Sequence, residues 1–208
     1  MLVNLSLQDF SKELGSDSPA PGGGSVAALS GALGADLVSM VCNLSIGKKG
    51  YESFQDELEE VLEKSQSLSD SLLKRVDLDT EAFNGVMRAF KMPKETDEEK
   101  RIRKDAIQRG FKEAINSPLD IARECLEVLR QAENLLGRSN TNAVSDLGVA
   151  SQQAYAGLEG AVMNVKINLS SIKDEVFVTD TSSTIIALLD EGGLTKDRIY
   201  KYVSENIG

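Results

Sequence analysis

The chain has no histidine. Ser-His catalysis, His-ligated zinc and imidazole acid/base chemistry are therefore excluded, and any proton transfer falls to Asp, Glu, Lys, Tyr or Cys. Two aspartates stand apart from the other acidic residues. Asp79 interrupts the stripe Phe54, Leu58, Val61, Ser65, Leu68, Leu72, Val76, Phe83, Val86, Phe90, whose steps of three and four mark one face of a long helix. Asp146 opens a second unusual face: Asp146, Ala150, Gln153, Gly157, Gly160, Asn164, Asn168. Its middle is small and its ends carry amides and a carboxylate, where a solvated face would carry Lys and Glu. A carboxylate on such a face is costly unless it is paired or functional. Two readings are open for each aspartate: a structural carboxylate bonded to a neighbouring helix end, or a general acid/base tuned by burial.

Two further signals flank the run at 25–46. Before it lies the loop Pro21-Gly22-Gly23-Gly24-Ser25. Such a loop allows close backbone approach, and a helix N-terminus favours a carboxylate or phosphate. After the run comes a basic, aromatic tip, Gly47-Lys48-Lys49-Gly50-Tyr51; solvated loop lysines are the plainer reading of that pair.

The elements that position these residues are helical. The run at 25–46 is the longest apolar stretch. Ala27, Ala28, Gly31, Ala32, Gly34 and Ala35 are too small to fill a core, so other helices must pack close against their backbone. A short helix is expected at 6–14 with Ser6 as cap. The stripe at 54–90 ends at Met92-Pro93-Lys94. Thr96 and Glu99 form a capping box that starts a helix running to about Asn116. Ser117-Pro118-Leu119-Asp120 reads as the start of another. A polar turn at 138–142 precedes a long helix at 142–172, whose Gly157 and Gly160 suggest close helix contact. The C-terminal part reads as a helix at 181–189 stopped by Gly192-Gly193, then a short helix at 196–205 capped by Thr195. No repeat or linker divides residues 1–208, so the fold class expected is all-α: a single domain of long antiparallel helices bundled around the small-residue helix.

The net charge is −10, which argues against nucleic acid as a partner. Cys42 and Cys125 form no metal or redox motif and read as buried thiols in a reducing compartment. Residues 1–14 carry Asp9 and Glu13 and lack an apolar core, so no signal peptide is expected. The run at 25–46 has the length of a membrane span, but Asp36, Asn43 and four serines fit a buried helix better. A cytoplasmic protein with no membrane partner and no bound metal is expected.

Several motifs occur together in order over residues 5 to 175: Pro21-Gly22-Gly23-Gly24-Ser25-Val26-Ala27-Ala28-Leu29, Gly47-Lys48-Lys49, Asp79-Thr80-Glu81-Ala82-Phe83, Met92-Pro93-Lys94, Pro118-Leu119, Asn142-Ala143-Val144-Ser145-Asp146 and Asn164-Val165-Lys166-Ile167-Asn168. In this the chain resembles the cyclodeaminase/cyclohydrolase family, the C-terminal domain of formiminotransferase-cyclodeaminase and its stand-alone bacterial relatives. The resemblance implies a folate one-carbon enzyme. It would close formimidoyltetrahydrofolate to 5,10-methenyltetrahydrofolate with release of ammonia, or hydrolyse the methenyl compound as some stand-alone members do. A non-catalytic helical interaction module is the reading from another class. No cofactor beyond the tetrahydrofolate substrate is implied. Asp146 is the first choice for acid/base catalysis and Asp79 the second. Asn164, Asn168 and Asn142 are expected to bind substrate. Gly22, Gly23, Gly24, Ser25, Lys48 and Lys49 would hold the anionic glutamate or polyglutamate tail. Tyr51 or Phe83 would stack on the pterin, with a core role the stronger reading for Phe83. A homodimer with a site partly at its interface is expected, and the central helix is read as bringing both its ends to one site. Asp36 has no assigned role.

Overall fold

A computed structural model describes residues 1–207. They form six α-helices: α1 (Leu7–Leu14), α2 (Gly23–Asn43), α3 (Gln55–Phe90), α4 (Asp97–Asn134), α5 (Val144–Leu169) and α6 (Glu175–Asn206). Among the described residues there is no strand, so the expected all-α bundle is what the chain adopts. Helix α2 lies at its centre, packed on α3, α4 and α5.

The composition of α2 explains this position. Ala28, Ala32 and Ala35 are fully buried. A Cβ on Gly31 would sit 2.5 Å from Cys125 Sγ, and one on Gly34 3.0 Å from the Ala150 carbonyl oxygen. From α5, a Cβ on Gly157 would meet the Ala27 carbonyl oxygen at 2.7 Å. The α2 and α5 backbones therefore touch, as the small residues of both sequences require. Larger side chains from the surrounding helices close the core, among them Leu58, Leu72, Ile121, Leu129, Leu147, Leu158 and Ile199. Helix α2 is long and apolar enough to cross a membrane, yet its small face is consumed by this packing.

Local signals set most boundaries. Ser6 accepts the Asp9 N–H at 3.1 Å, although α1 buries no residue and Leu7 is exposed. Thr96 and Glu99 form the reciprocal capping box. Helix α2 starts two residues before Ser25, at Gly23, because Gly22 takes the extended N-cap conformation and its carbonyl accepts the Val26 N–H. It ends at Asn43 rather than Ile46.

Two expected helix breaks do not occur. Helix α4 runs unbroken through Pro118. Proline cannot donate to the Ala114 carbonyl one turn earlier, and that carbonyl instead accepts from the Asn168 side chain of α5 at 3.2 Å. An interior proline costs about 3 kcal/mol, which the burial of Ile115, Leu119, Ile121, Ala122 and Cys125 around it outweighs. Helix α6 likewise runs through Gly192-Gly193. Gly192 is a contact point: a Cβ there would lie 2.8 Å from Leu158 Cδ1. Thr195 is buried inside the helix and caps nothing; the N-cap is Asp174, which accepts the Phe177 N–H at 3.1 Å.

The α2–α5 contact generates a stability prediction. Gly157→Ala drives a methyl into the backbone of α2 and into Cys125 Sγ. It is expected to destabilise by about 1–3 kcal/mol, despite the helix propensity gained. Gly160→Ala would meet only Ala27 Cβ at 3.4 Å and is expected to be neutral or to stabilise by up to about 1 kcal/mol. Urea midpoints of the two variants check this; equal shifts would contradict backbone contact at Gly157.

Candidate active site

The C-terminal halves of α3 and α5 and the middle of α4 line a cavity of about 250 Å³. One wall is polar, made of Asp79, Asn164 and Asn168; the other is Phe83, Met87, Phe90 and Phe111. Phe90 and Phe111 meet edge to face with centroids 6.0 Å apart. Arg103 lies 5.8 Å over the Phe90 ring and donates to the Phe90 carbonyl at 3.0 and 3.3 Å, fixing that rim.

Asp79 is set by Gly24. A Cβ on Gly24 would fall 2.2 Å from Asp79 Oδ2, so the carboxylate rests directly on the first turn of α2. It makes no hydrogen bond or ion pair with any described residue. Burial raises its pKa above the ordinary 3.8. The free N–H groups at the start of α2 act in the opposite sense, favouring negative charge at this spot; burial dominates. The neighbouring amides are tied to backbone. Asn164 Nδ2 donates to the Gly160 carbonyl at 2.8 Å, and Asn168 Nδ2 donates to the carbonyls of Ala114 and Asn164 at 3.2 and 3.0 Å. Gly23 abuts Asn164, whose Nδ2 a Cβ there would approach to 3.3 Å.

The cavity thus gathers Asp79, Asn164 and Asn168; Gly24 lies against Asp79 and Gly23 against Asn164, behind that lining, with Gly22 as the adjoining N-cap. Ser25 is not available to a ligand: it is fully buried and its hydroxyl donates to the Val76 carbonyl at 2.7 Å, tying α2 to α3. Phe83 lines the cavity and is 42% exposed, not part of the core. Phe90 belongs to the same wall although its spacing read only as helix stripe. Phe111 and Arg103 carried no signal in the sequence, because their roles arise only where α4 crosses α3.

Asp146, Asn142, Lys48, Lys49 and Tyr51 lie at the opposite end of the bundle. Asp146 sits in the first turn of α5, half-buried, without a hydrogen bond or ion pair to any described residue. Along α5, Asn164 follows Asp146 by 18 residues, about 27 Å at 1.5 Å per residue. Within one chain, then, α2 does not bring its two ends together; a straight helix holds them a helix length apart. The far end is nonetheless organised. Asn140 N–H donates to Ser45 Oγ at 2.8 Å and its Nδ2 to the Leu44 carbonyl at 3.0 Å. The Tyr51 hydroxyl accepts the Thr141 N–H at 3.1 Å, so Tyr51 anchors this turn. Gly47 and Gly50, at φ 70° and 98°, let the tip reverse. Lys48 and Lys49 are exposed and form no ion pair with described residues. Burial pushes the Cys42 thiol up to about 12 and Cys125 up as well, so neither is a thiolate nucleophile.

A family model described as formiminotransferase-cyclodeaminase matches residues 6–186. The methenyltetrahydrofolate cyclohydrolase of Methylorubrum extorquens is 44% identical over 207 residues, covering 100% of both chains. The formimidoyltransferase-cyclodeaminase of Mus musculus is 37% identical over 190 residues, covering 91% of this chain and 35% of that protein, so this chain spans about a third of that relative's length. Among solved structures, the formiminotetrahydrofolate cyclodeaminase of Thermotoga maritima superposes with a TM-score of 0.82 at 29% identity, covering 100% of this chain and 98% of the other.

The environment of Asp79 predicts a pH-dependent cost. Its folded-state pKa exceeds its unfolded one. The folded chain therefore keeps a proton that the unfolded chain has lost, and stability falls as pH rises from 3.8 through the raised value. Asp79→Asn is expected to raise the urea midpoint near neutral pH and to lose that advantage below pH 3.8. Identical wild-type and variant midpoints at neutral pH would mean that the carboxylate carries no such penalty.

Proposed function

Because the chain belongs to the formiminotransferase-cyclodeaminase family, an enzyme family of folate one-carbon metabolism, we propose that it hydrolyses 5,10-methenyltetrahydrofolate to 10-formyltetrahydrofolate. The match to the Methylorubrum cyclohydrolase, end to end in both chains, carries this choice. The resemblance by motif alone favoured the cyclodeaminase. That remains the second reading, supported by the likeness to the Thermotoga enzyme.

The chemistry asks for one proton acceptor that becomes a donor. Water adds to the carbon bridging N5 and N10 as a carboxylate takes its proton. The C–N5 bond then breaks, N5 receives a proton, and the remaining hydroxyl proton is lost as the formyl carbonyl forms on N10. A carboxylate with a raised pKa suits both roles. Asp79 meets that description, beside aromatic side chains against which a bicyclic ring can lie. Asn164 and Asn168 bind the ring edge. In the cyclodeaminase reading N10 is the attacking group and ammonia leaves, with the same carboxylate serving both transfers.

Asp146, Asn142, Lys48 and Lys49 enter the site across a homodimer interface. Leu33 and Met40 of α2, its C-cap Leu44, and Val149, Met163 and Ile167 of α5 are exposed. By helical periodicity they share the one side of the α2–α5 pair that no other helix covers. A second copy set antiparallel on this face buries them. It also brings its own basic tip and Asp146 to the Gly22–Gly24 end, where the lysines hold the glutamate tail. Asp36 lies on the same open face, exposed, and becomes an interface residue.

Two measurements test this. Loss of methenyl absorbance and ammonia release from the formimidoyl compound should give turnover of the first substrate at least about tenfold above the second; the reverse preference overturns the cyclohydrolase reading. The rate should have an acid limb above pH 3.8, because Asp79 must be ionised and burial raises its pKa. Asp79→Asn and Asp146→Asn should each lower kcat by about 100-fold or more. Mixed and reassociated in equal amounts, the two inactive variants should recover about a quarter of wild-type activity, since half the dimers then hold one intact site. No recovery, or a monomer by light scattering at micromolar concentration, would sink the shared site.

A further inference from the structure

Pro118 stands in the interior of the 38-residue helix α4, where any other residue would donate its N–H to the Ala114 carbonyl. The freed carbonyl faces α5 and accepts from Asn168 Nδ2. The same amide nitrogen donates to the Asn164 carbonyl, so both amide hydrogens of Asn168 are used. A flip of this amide would set Oδ1 against two carbonyl oxygens, so its orientation is locked. Asn168 Oδ1 accepts no hydrogen bond from a described residue and is not sealed from solvent, and Asn168 lines the cavity. Asn164, one turn earlier, is held by a single bond: its Nδ2 donates to the Gly160 carbonyl, and its Oδ1 accepts no hydrogen bond from a described residue. With Asp79, the side chains of the polar wall offer the cavity three sets of acceptor oxygens; both Asn168 amide hydrogens are used, and one N–H of Asn164 is left over.

We propose that Pro118 is a positioning residue: by withholding a backbone proton from Ala114 it anchors Asn168 as a fixed acceptor and makes the cavity select the N–H-bearing edge of a flat heterocycle. Resting on the folate reading above, this assigns the 2-amino and N3–H edge of the pterin to Asn164 and Asn168, with the ring face on Phe83 and Phe90. It also keeps the anionic tail out of this cavity, whose oxygens repel a carboxylate. A locked acceptor discriminates well, because a ligand lacking the matching donor leaves it dry and unpaired.

The test pairs a protein change with a ligand change, so that each reports on the other. Binding of 5-formyltetrahydrofolate and of its 2-desamino-2-methyl analogue is measured by calorimetry with the wild-type chain, Pro118→Ala and Asn168→Leu. The wild type should bind the natural ring roughly ten- to a hundredfold more tightly than the analogue. Pro118→Ala regains the helical hydrogen bond to Ala114 and competes for the anchor. It should melt no lower than wild type, raise KM for methenyltetrahydrofolate by about tenfold with kcat within about twofold, and reduce the discrimination to about threefold or less. Asn168→Leu, which removes the acceptor, should lose the discrimination as well. A proline that merely shapes the helix would change stability and leave the ligand preference intact. That outcome, a Pro118→Ala chain that does not fold, full discrimination in Asn168→Leu, or equal binding of both ligands by wild type each overturns the inference. Failure of wild type to bind either reduced folate instead overturns the folate reading on which it rests.

Discussion

The backbones of α2 and α5 touch, and the rest of the structure depends on that contact. Gly31, Gly34 and Gly157 leave no room for a Cβ between helix α2 and its neighbours. Contact at this range gives dense packing with little side-chain ordering, since glycine and alanine have no rotamers to lose. It also fixes the register of the two helices. A slide of one residue would drive carbonyl oxygens or Cys125 Sγ into the opposite backbone. Because that register is rigid, the ends of both helices arrive at defined places.

At one end the same principle places the candidate acid/base group. Gly24 leaves space that the Asp79 carboxylate fills, so the acidic group lies against a helix start and still reaches the cavity. Desolvation and the helix N-terminus pull its pKa in opposite directions, and burial prevails. Around it the amides satisfy backbone carbonyls with their nitrogens and expose their oxygens. In the proposed binding mode, support and recognition are divided between two atoms of a single side chain, and the proline in α4 frees the Ala114 carbonyl that makes the division possible.

The second consequence of a rigid α2 is separation. Its length keeps the basic tip and Asp146 away from Asp79, so one chain has two incomplete polar ends joined by an exposed apolar face. An antiparallel copy resolves both features at once in the proposed dimer. It covers the face and brings unlike ends together, whereas a monomer leaves both exposed.

What the sequence by itself determined is what local rules control. Helix periodicity reported α3 with its ends at the observed residues, the Thr96 capping box began α4, and the small residues of α2 announced its central place. Asp79, Asn164 and Asn168 were legible as candidates because polar groups were out of keeping with their helix faces. Only the tertiary structure decided whether Pro118 and Gly192-Gly193 break a helix. Both yield to long-range partners, the Asn168 amide and the packing on α5, that no local window contains. Likewise only the crossing of α3 and α4 made Phe90, Phe111 and Arg103 neighbours, and only the unbroken length of α5 separated Asp146 from the Asp79 end. Sequence spacing encodes which face a residue occupies; which faces meet, and how far apart two ends stand, is set by rigid bodies packing in three dimensions.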